Sequence, residues 1–515
     1  MRRSSTVEGP PLPQGLNVEA FLREPIRLRA VVLVLALLVV AAGCVTSTPP
    51  TPTTPTPGAL TIYAPDCSIG NPDGNWTQAC VARASPNPSP SKTEIDIAVN
   101  PKDPQNVIVG SKDLDRSASD CVWAVPQVTH DGGKTWKSVY IGGKMADRKP
   151  GDALFGWECI TDPIMTFDKN GVAHYSLQAY NAGTGGATTP VPANPLGLGS
   201  SVGSAIIMAS SKDGGDTWPD FVTLHAGEGT AVFHDYMRMA SNPKTATVYT
   251  IWNQISVVAS VPVLVAVKSG SATPQPPVYI PVPEAGASAG ESAIFADNDG
   301  TVYVILGGQN SGSNAYLTTS TDDGATFSAP VKMFEVKPIN SPLPNAKFRV
   351  GTSVEGAIDR STGSHKGCIY TTWADGSKGD GDADVVSSHS CDKGKTWSNA
   401  TRVTHELAPS DQFMPRIAVG NDGTVHIAYM TRAYDGANKL IDAEHAYSTN
   451  GGVTWATKRL TTKSFDGDKG VHQDGFPFFG DYIGIDSQGP RTYIGFPDCE
   501  TGTCEIGVAA IVRSS

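Results

Sequence analysis

Hydrophobic and polar positions alternate along this chain in short runs, and the runs come in pairs. Seven times an apolar segment of strand length gives way to a polar turn and then to a second segment rich in Tyr, Val, Ile and Trp. That is the pattern of two antiparallel strands and their hairpin. The units are IDIAVNPKDPQNVIVG from Ile95, DPIMTFDKNGVAHYSL from Asp162, YMRMASNPKTATVYTIW from Tyr236 and SAIFADNDGTVYVIL from Ser292. They continue with EGAIDRSTGSHKGCIYTTW from Glu355, PRIAVGNDGTVHIAYM from Pro415 and YIGIDSQGPRTYIGF from Tyr482. No helical domain is evident. The pattern predicts an all-β protein built on a repeat of about sixty residues.

A tighter repeat follows five of the seven units. It occupies Thr129–Trp136 (THDGGKTW), Ser211–Trp218 (SKDGGDTW), Ser320–Phe327 (STDDGATF), Ser390–Trp397 (SCDKGKTW) and Ser448–Trp455 (STNGGVTW). The consensus is S/T-x-D-x-G-x-T-W/F. A short polar side chain bonds the turn backbone, Gly takes positive φ, and the aromatic caps the hairpin from the next strand. Unit three carries only a degenerate version at Lys268 to Gly270.

This motif resembles the Asp-box, or bacterial neuraminidase repeat, which joins the third and fourth strands of blades in sialidase-type propellers. The resemblance spans residues 94–512. It implies a single β-propeller of four-stranded antiparallel blades, seven by the count of units and six as the alternative, since active sialidases have six. It also implies that the boxes are scaffold, on the face away from the active site. Unit seven stops after a third strand, Glu505 to Val512, and Leu60 to Ala64 is expected to supply the missing fourth, closing the ring and removing two open sheet edges.

Composition agrees with a turn-rich β protein: 54 Gly and 39 Pro among 515 residues, with charged residues at only 17%. A net charge of −11 offers no field for phosphate backbones, so nucleic acid is not an expected partner. Arg23, Arg27 and Arg29 precede an unbroken apolar run, Ala30 to Ala42, of signal-peptide length. It ends in Ala41-Ala42-Gly43-Cys44, which resembles a bacterial lipobox and implies acylation at Cys44. Residues 1–44 then form the signal peptide and 45–59 a linker whose Pro/Thr-rich stretch, Thr46 to Gly58, is a semi-rigid spacer. Residues 60–515 form the propeller. The expected location is the extracellular side of the membrane, lipid-anchored or secreted. The other eight cysteines are even in number, as disulfides require, and neighbours suggest Cys67 with Cys80, Cys121 with Cys159, Cys368 with Cys391 and Cys499 with Cys504. A zinc site is the runner-up.

Chemistry is expected at the starts of the innermost strands, which line a propeller's funnel. These positions hold Glu94, Asp96, Asp162, Asp235, Arg238, Glu291, Arg349, Glu355, Asp411, Arg416, Asp481 and Tyr482. The sialidase resemblance implies an arginine cluster for a sugar carboxylate, assigned to Arg238, Arg349 and Arg416. It implies a tyrosine nucleophile, Tyr482, activated by Glu291 or Glu355, and Asp162 as general acid, with Asp235, Asp411 and Asp481 also lining the substrate site. The function so implied is a sialidase-like exo-glycosidase acting on a glycan or glycoprotein. The alternative is a non-catalytic propeller that binds protein or polysaccharide, its charges paired between blades. No organic cofactor is expected. Carboxylates between Asp375 and Asp384 are spaced to share calcium, with a solvated hairpin as the commoner reading.

Overall fold

The computed structural model describes residues 76–84, 91–113, 123–143, 147–180, 204–226, 232–256, 260–282, 293–307, 314–404, 408–473, 476–500 and 503–513. Cys44, the Thr46 to Gly58 spacer, Leu60 to Ala64, Cys67, Cys121 and Glu291 lie outside these residues, as does the side chain of Cys80.

Each sequence repeat forms one antiparallel sheet. Blade 1 comprises Lys92–Val99, Val107–Asp113, Gln127–Thr129 and Lys137–Ser138, and blade 2 comprises Cys159–Phe167, Ala173–Tyr180, Ser204–Ser211 and Asp220–Ala226. Blade 3 is Val232–Ser241, Thr247–Ser256, Ser260–Lys268 and Val278–Tyr279; blade 4 is Ala293–Ala296, Val302–Leu306, Asn314–Ser320 and Val331–Glu335. Blade 5 is Glu355–Ile358, Ile369–Asp375, Asp384–Ser390 and Thr401–Arg402; blade 6 is Gln412–Val419, Val425–Thr431, Asp442–Ser448 and Ala456–Arg459. Blade 7 is Gly484–Gln488, Arg491–Asp498 and Glu505–Arg513, completed by the N-terminal strand Trp76–Arg83.

The innermost strand of each blade packs on that of the next, and blade 7 returns to blade 1, so seven sheets close round one axis. The closing strand is a correction to the sequence reading: Trp76–Arg83, pairing from Arg83 opposite Gly507 to Trp76 opposite Arg513, holds the place expected for Leu60 to Ala64. Apolar alternation in LTIYA is no better than in WTQACVAR, and only the pairing with Glu505–Arg513 distinguishes them. The core lies between blades rather than in one centre. Tyr249 and Leu264 of blade 3 share a cluster with Ile294 and Val304 of blade 4, and Ile95 and Val109 of blade 1 share one with Tyr493 of blade 7. At the closing seam the blades approach so nearly that a Cβ on Gly484 would sit 2.7 Å from the Ile97 nitrogen.

The five tight turns link third to fourth strands and repeat one hydrogen-bond set. In blade 2 the Ser211 hydroxyl donates to Asp213 at 2.7 Å and accepts from Gly215 N at 2.8 Å, while Thr217 gives Asp213 its amide at 2.9 Å and its hydroxyl at 2.5 Å. Several also bind the preceding blade. Asp323 of the blade 4 turn accepts from Tyr249 at 2.6 Å and Asn242 at 3.0 Å in blade 3, and Asn106 of blade 1 donates to Gly214 O at 2.9 Å in the blade 2 turn. These carboxylates are engaged in structure. The Asp375–Asp384 hairpin is likewise internally engaged: Asp375 accepts from Trp373 Nε1, and Asp384 pairs with Lys378 and Arg402.

Buried histidines set a pH response. In blade 6, His426 Nδ1 lies 3.1 Å from His445 Nε2, and in blade 3 Trp252 donates to His234 at 3.0 Å. Burial pushes His426 and His234 down to about 3, against 6.5 for an exposed histidine. Between those values the unfolded chain holds protons that the folded chain does not. Each histidine's contribution to stability should therefore fall as pH drops below 6.5, by up to about 1.4 kcal/mol per pH unit. Burial raises Asp486 from 3.8 to about 6, and raises Glu94 and Asp235 well above the usual carboxylate range, which acts the opposite way. The histidine share is read by difference. Urea midpoints at pH 7 and pH 5 in wild type and His426→Gln check this: the variant should lose less stability on acidification than wild type, and an identical pH response in the two would refute it.

Candidate functional site

The innermost strands of blades 1, 2, 3 and 6 share a defect. Pairing with the second strand skips one residue between Thr93 and Asp96, Thr161 and Ile164, Asp235 and Arg238, and Phe413 and Arg416. Each is a β-bulge, with positive φ at Glu94 (53°), Asp162 (52°), Tyr236 (58°) and Met414 (53°). Backbone held in this region by non-glycine residues is costly and gathers where a side chain must be aimed. Here three of the four, Glu94, Asp162 and Tyr236, line a cavity at the mouth of the ring, while Asp96, Arg238 and Arg416 line a second cavity along the axis.

The mouth cavity, about 160 Å³, also receives Lys112, Asp235, Arg349, Asp481 and the aromatic rings of Tyr180 and Phe233. Lys112 Nζ lies 3.3 Å from Glu94 Oε2 and 3.6 Å from Asp162 Oδ1. Asp162 also accepts from Thr161 Oγ1 at 2.7 Å and from the side chains of Asp235 and Glu94. These contacts separate three carboxyl groups into two states. Burial, then the charge of Asp162, raises Glu94 and Asp235 well above the usual carboxylate range. Burial alone would raise Asp162 too, but Lys112 and the donated hydrogen bonds hold it below that range. One lowered carboxyl therefore sits between two raised neighbours. Asp162 and Asp235 are partly exposed to the cavity, whereas Glu94 is 2% exposed. The accessible pair is thus a lowered Asp162 beside a raised Asp235, the arrangement from which general acid and base roles are drawn.

The cations are fixed from the other side. A hairpin, Val471–Gln473 with Phe476–Phe478, brings the Phe478 ring to 5.3 Å from Lys112 Nζ and 4.9 Å from the Arg349 guanidinium. Arg349 makes a two-pronged bond to Asp481, through Nε at 2.8 Å and through Nη2.

Behind this cavity stands Tyr482. It is 6% exposed, donates to Pro163 O at 3.2 Å and lies under Arg238 (5.1 Å) and Arg416 (5.9 Å). Burial, then Glu94, pushes its phenol well above the usual range. Beyond it the axial cavity, about 220 Å³, holds a charge ring drawn from four blades. Glu355 Oε1 accepts from Arg416 at 2.9 Å and Arg238 at 3.3 Å, and Arg416 also reaches Asp96 Oδ1 at 3.4 Å.

The structure thus brings Asp162, Asp235, Arg349, Asp481 and Tyr482 of the expected residues to one cavity and places Arg238, Arg416 and Glu355 in the other. Arg238 and Arg416 do share one carboxylate, but it is the protein's own. Asp411 lies in neither cavity: it is fully buried, accepting from Asn438 at 2.8 Å and Arg432 at 3.4 Å. Disulfides join Cys368 to Cys391 and Cys499 to Cys504, and Cys159 is disulfide-bonded. Lys112, Tyr236 and Phe478 were not anticipated, and Glu94 was given no role. Pro163 and Pro415 were the available signal, because a proline inside a strand removes a ladder donor and marks a bulge.

No protein-family model matches the chain, and no curated protein does. Solved structures similar to it include a protein of unknown function from Dyadobacter fermentans, at 13% identity and TM-score 0.45, covering 83% of this chain and 96% of that one. A Hadza microbial sialidase is 13% identical at TM-score 0.43, covering 79% and 73%, and an ulvan lyase of a polysaccharide lyase family is 11% identical at 0.44, covering 82% and 94%.

Proposed function

We propose that the mouth cavity cleaves a terminal glycosidic bond. The observation that carries this is the meeting of Asp162 and Asp235 on one cavity, with Lys112 Nζ 3.6 Å from Asp162 Oδ1; Lys112 and donated hydrogen bonds lower Asp162, and burial raises Asp235. In this reading Asp235 and Asp162, hydrogen-bonded to each other, act as one unit: the proton they share goes to the leaving oxygen, and the pair then takes a proton from the attacking water. Tyr482 closes the inner end, which suits a chain terminus better than a chain interior. Tyr180, Tyr236 and Phe233 offer apolar faces to a sugar ring.

The finer form is a sialidase-like exo-glycosidase, which the resemblance of the five turns to Asp-boxes supports and in which Arg349 would exchange its fork to Asp481 for the sugar carboxylate. One observation favours a second reading, a propeller that binds glycans without cleaving them: Arg238 and Arg416 are already held by Glu355. A panel of chromogenic glycosides that includes a sialoside separates the two. Release of aglycone by wild type is expected, and selective release from the sialoside supports the finer form. Binding without release from any member of the panel would overturn the hydrolase.

A further inference from the structure

On the face opposite the mouth, blade 5 gathers four metal-ligating side chains. His365 and Cys368 lie in the turn between its first and second strands, and His389 and Cys391 lie at the end of its third strand and in the tight turn that follows. A ring nitrogen of His365 and both sulfurs lie within 4.8 Å of one another. His389 pairs opposite Tyr370 in the ladder, two residues before Cys391. The sequence spacing is H-x-x-C and H-x-C.

The placement of His365 is specific. Its ring lies against Gly451 in the tight turn of blade 6, where an added Cβ would come within 2.6 Å of the imidazole. A glycine at φ 72° leaves room for it. In the oxidised chain the sulfurs are bonded to each other, and Cys391 is exposed to solvent while Cys368 is 3% exposed.

We propose that this disulfide is one state of a two-state site, and that the reduced chain holds a zinc-class divalent ion on Cys368, Cys391 and His365, with the fourth position open to solvent. A tetrahedral ion with bonds of about 2.3 Å to sulfur and about 2.0 Å to nitrogen needs sulfurs about 3.8 Å apart and the nitrogen about 3.5 Å from sulfur. The existing cluster meets this with shifts on the order of 1 Å. A dithiol supplies two electrons and two protons, cleaving the S–S bond to two thiols and becoming a disulfide itself. Metal binding then displaces the two thiol protons, and the imidazole binds neutral. Oxidation and metal are mutually exclusive, because each uses the same two sulfurs. The site is remote from the mouth cavity, so it stands whatever that cavity does.

The test uses the full chain, oxidised or reduced anaerobically and freed of reductant, titrated with Zn²⁺ against a chromogenic chelator and separately with Co²⁺. Reduced wild type should bind one more tight equivalent than reduced Cys391→Ser and show a thiolate-to-cobalt absorption band. His365→Gln should weaken binding about tenfold or more. Zn²⁺ should raise the Tm of reduced wild type and leave oxidised wild type unchanged, a comparison that needs no variant to fold. Equal metal uptake by reduced wild type and Cys391→Ser, or an equal Tm effect on oxidised and reduced chains, would overturn the site.

Discussion

Asp162→Asn is expected to lower kcat on any cleaved glycoside by about 10³-fold, within the range for losing a positioned acid–base group, with KM nearly unchanged. Asn keeps the shape and the bond from Thr161 but cannot carry the charge that Lys112 stabilises. Asp235→Asn should separate by leaving group. A nitrophenolate departs without protonation, so turnover should survive there and collapse on an unactivated sugar, if Asp235 is the acid. The wild-type pH profile should be bell-shaped. Activity should fall in acid as Asp162 takes a proton, at a pH below the usual carboxylate range, and fall in alkali as Asp235 loses its own, at a pH above that range. Steady-state kinetics over pH check both limbs. An Asp162→Asn enzyme with wild-type kcat would sink the assignment.

Glu355→Gln should instead act on stability, by about 3–5 kcal/mol, the usual effect of removing one partner of a buried ion pair. Glu355 is 7% exposed and Arg238 is 4% exposed, so neither can turn to water. Arg416 retains Asp96 at 3.4 Å and Arg238 retains the Met237 carbonyl at 2.9 Å. Burial alone would raise Glu355, but Arg416 and Arg238 hold it below the usual range. Its contribution is therefore present at neutral pH and lost as pH falls through that lowered value. Urea unfolding at pH 7 measures the effect. A change under about 1 kcal/mol would show that the ring does not tie the blades together. Loss of turnover with stability intact would return Glu355 to a catalytic role.

The split between legible and illegible is local against long-range. The five turns were readable because each closes its hydrogen bonds within eight residues, as Ser211 to Trp218 does. The inner strand pairs were readable for the same reason. Which strand completes blade 7 was not, because Trp76–Arg83 and Glu505–Arg513 are more than four hundred residues apart. Ten of the twelve funnel residues line the two cavities, while Asp411 lies in neither and Glu291 is outside the described residues. What failed to follow was their division: a single skipped residue in an inner strand sends Glu94 to the mouth and Asp96 to the axis, two positions apart in the chain. Lys112 sits at the end of a second strand, and its role depends on lying opposite Thr93 across that bulge.

From sequence alone came the seven strand pairs and the five tight turns, since periodicity and turn chemistry are properties of neighbouring residues; the closed ring was implied by the Asp-box resemblance, with seven blades preferred and six as the alternative. Tertiary structure decided which charges are spent on one another and which remain open to a ligand. Arg238 and Arg416 meet Glu355 only because blades 3, 5 and 6 face a common axis, and Asp162 is lowered because the ring places Lys112 beside it. Ionisation inside a protein is set by distance and burial, and neither is written in the order of residues.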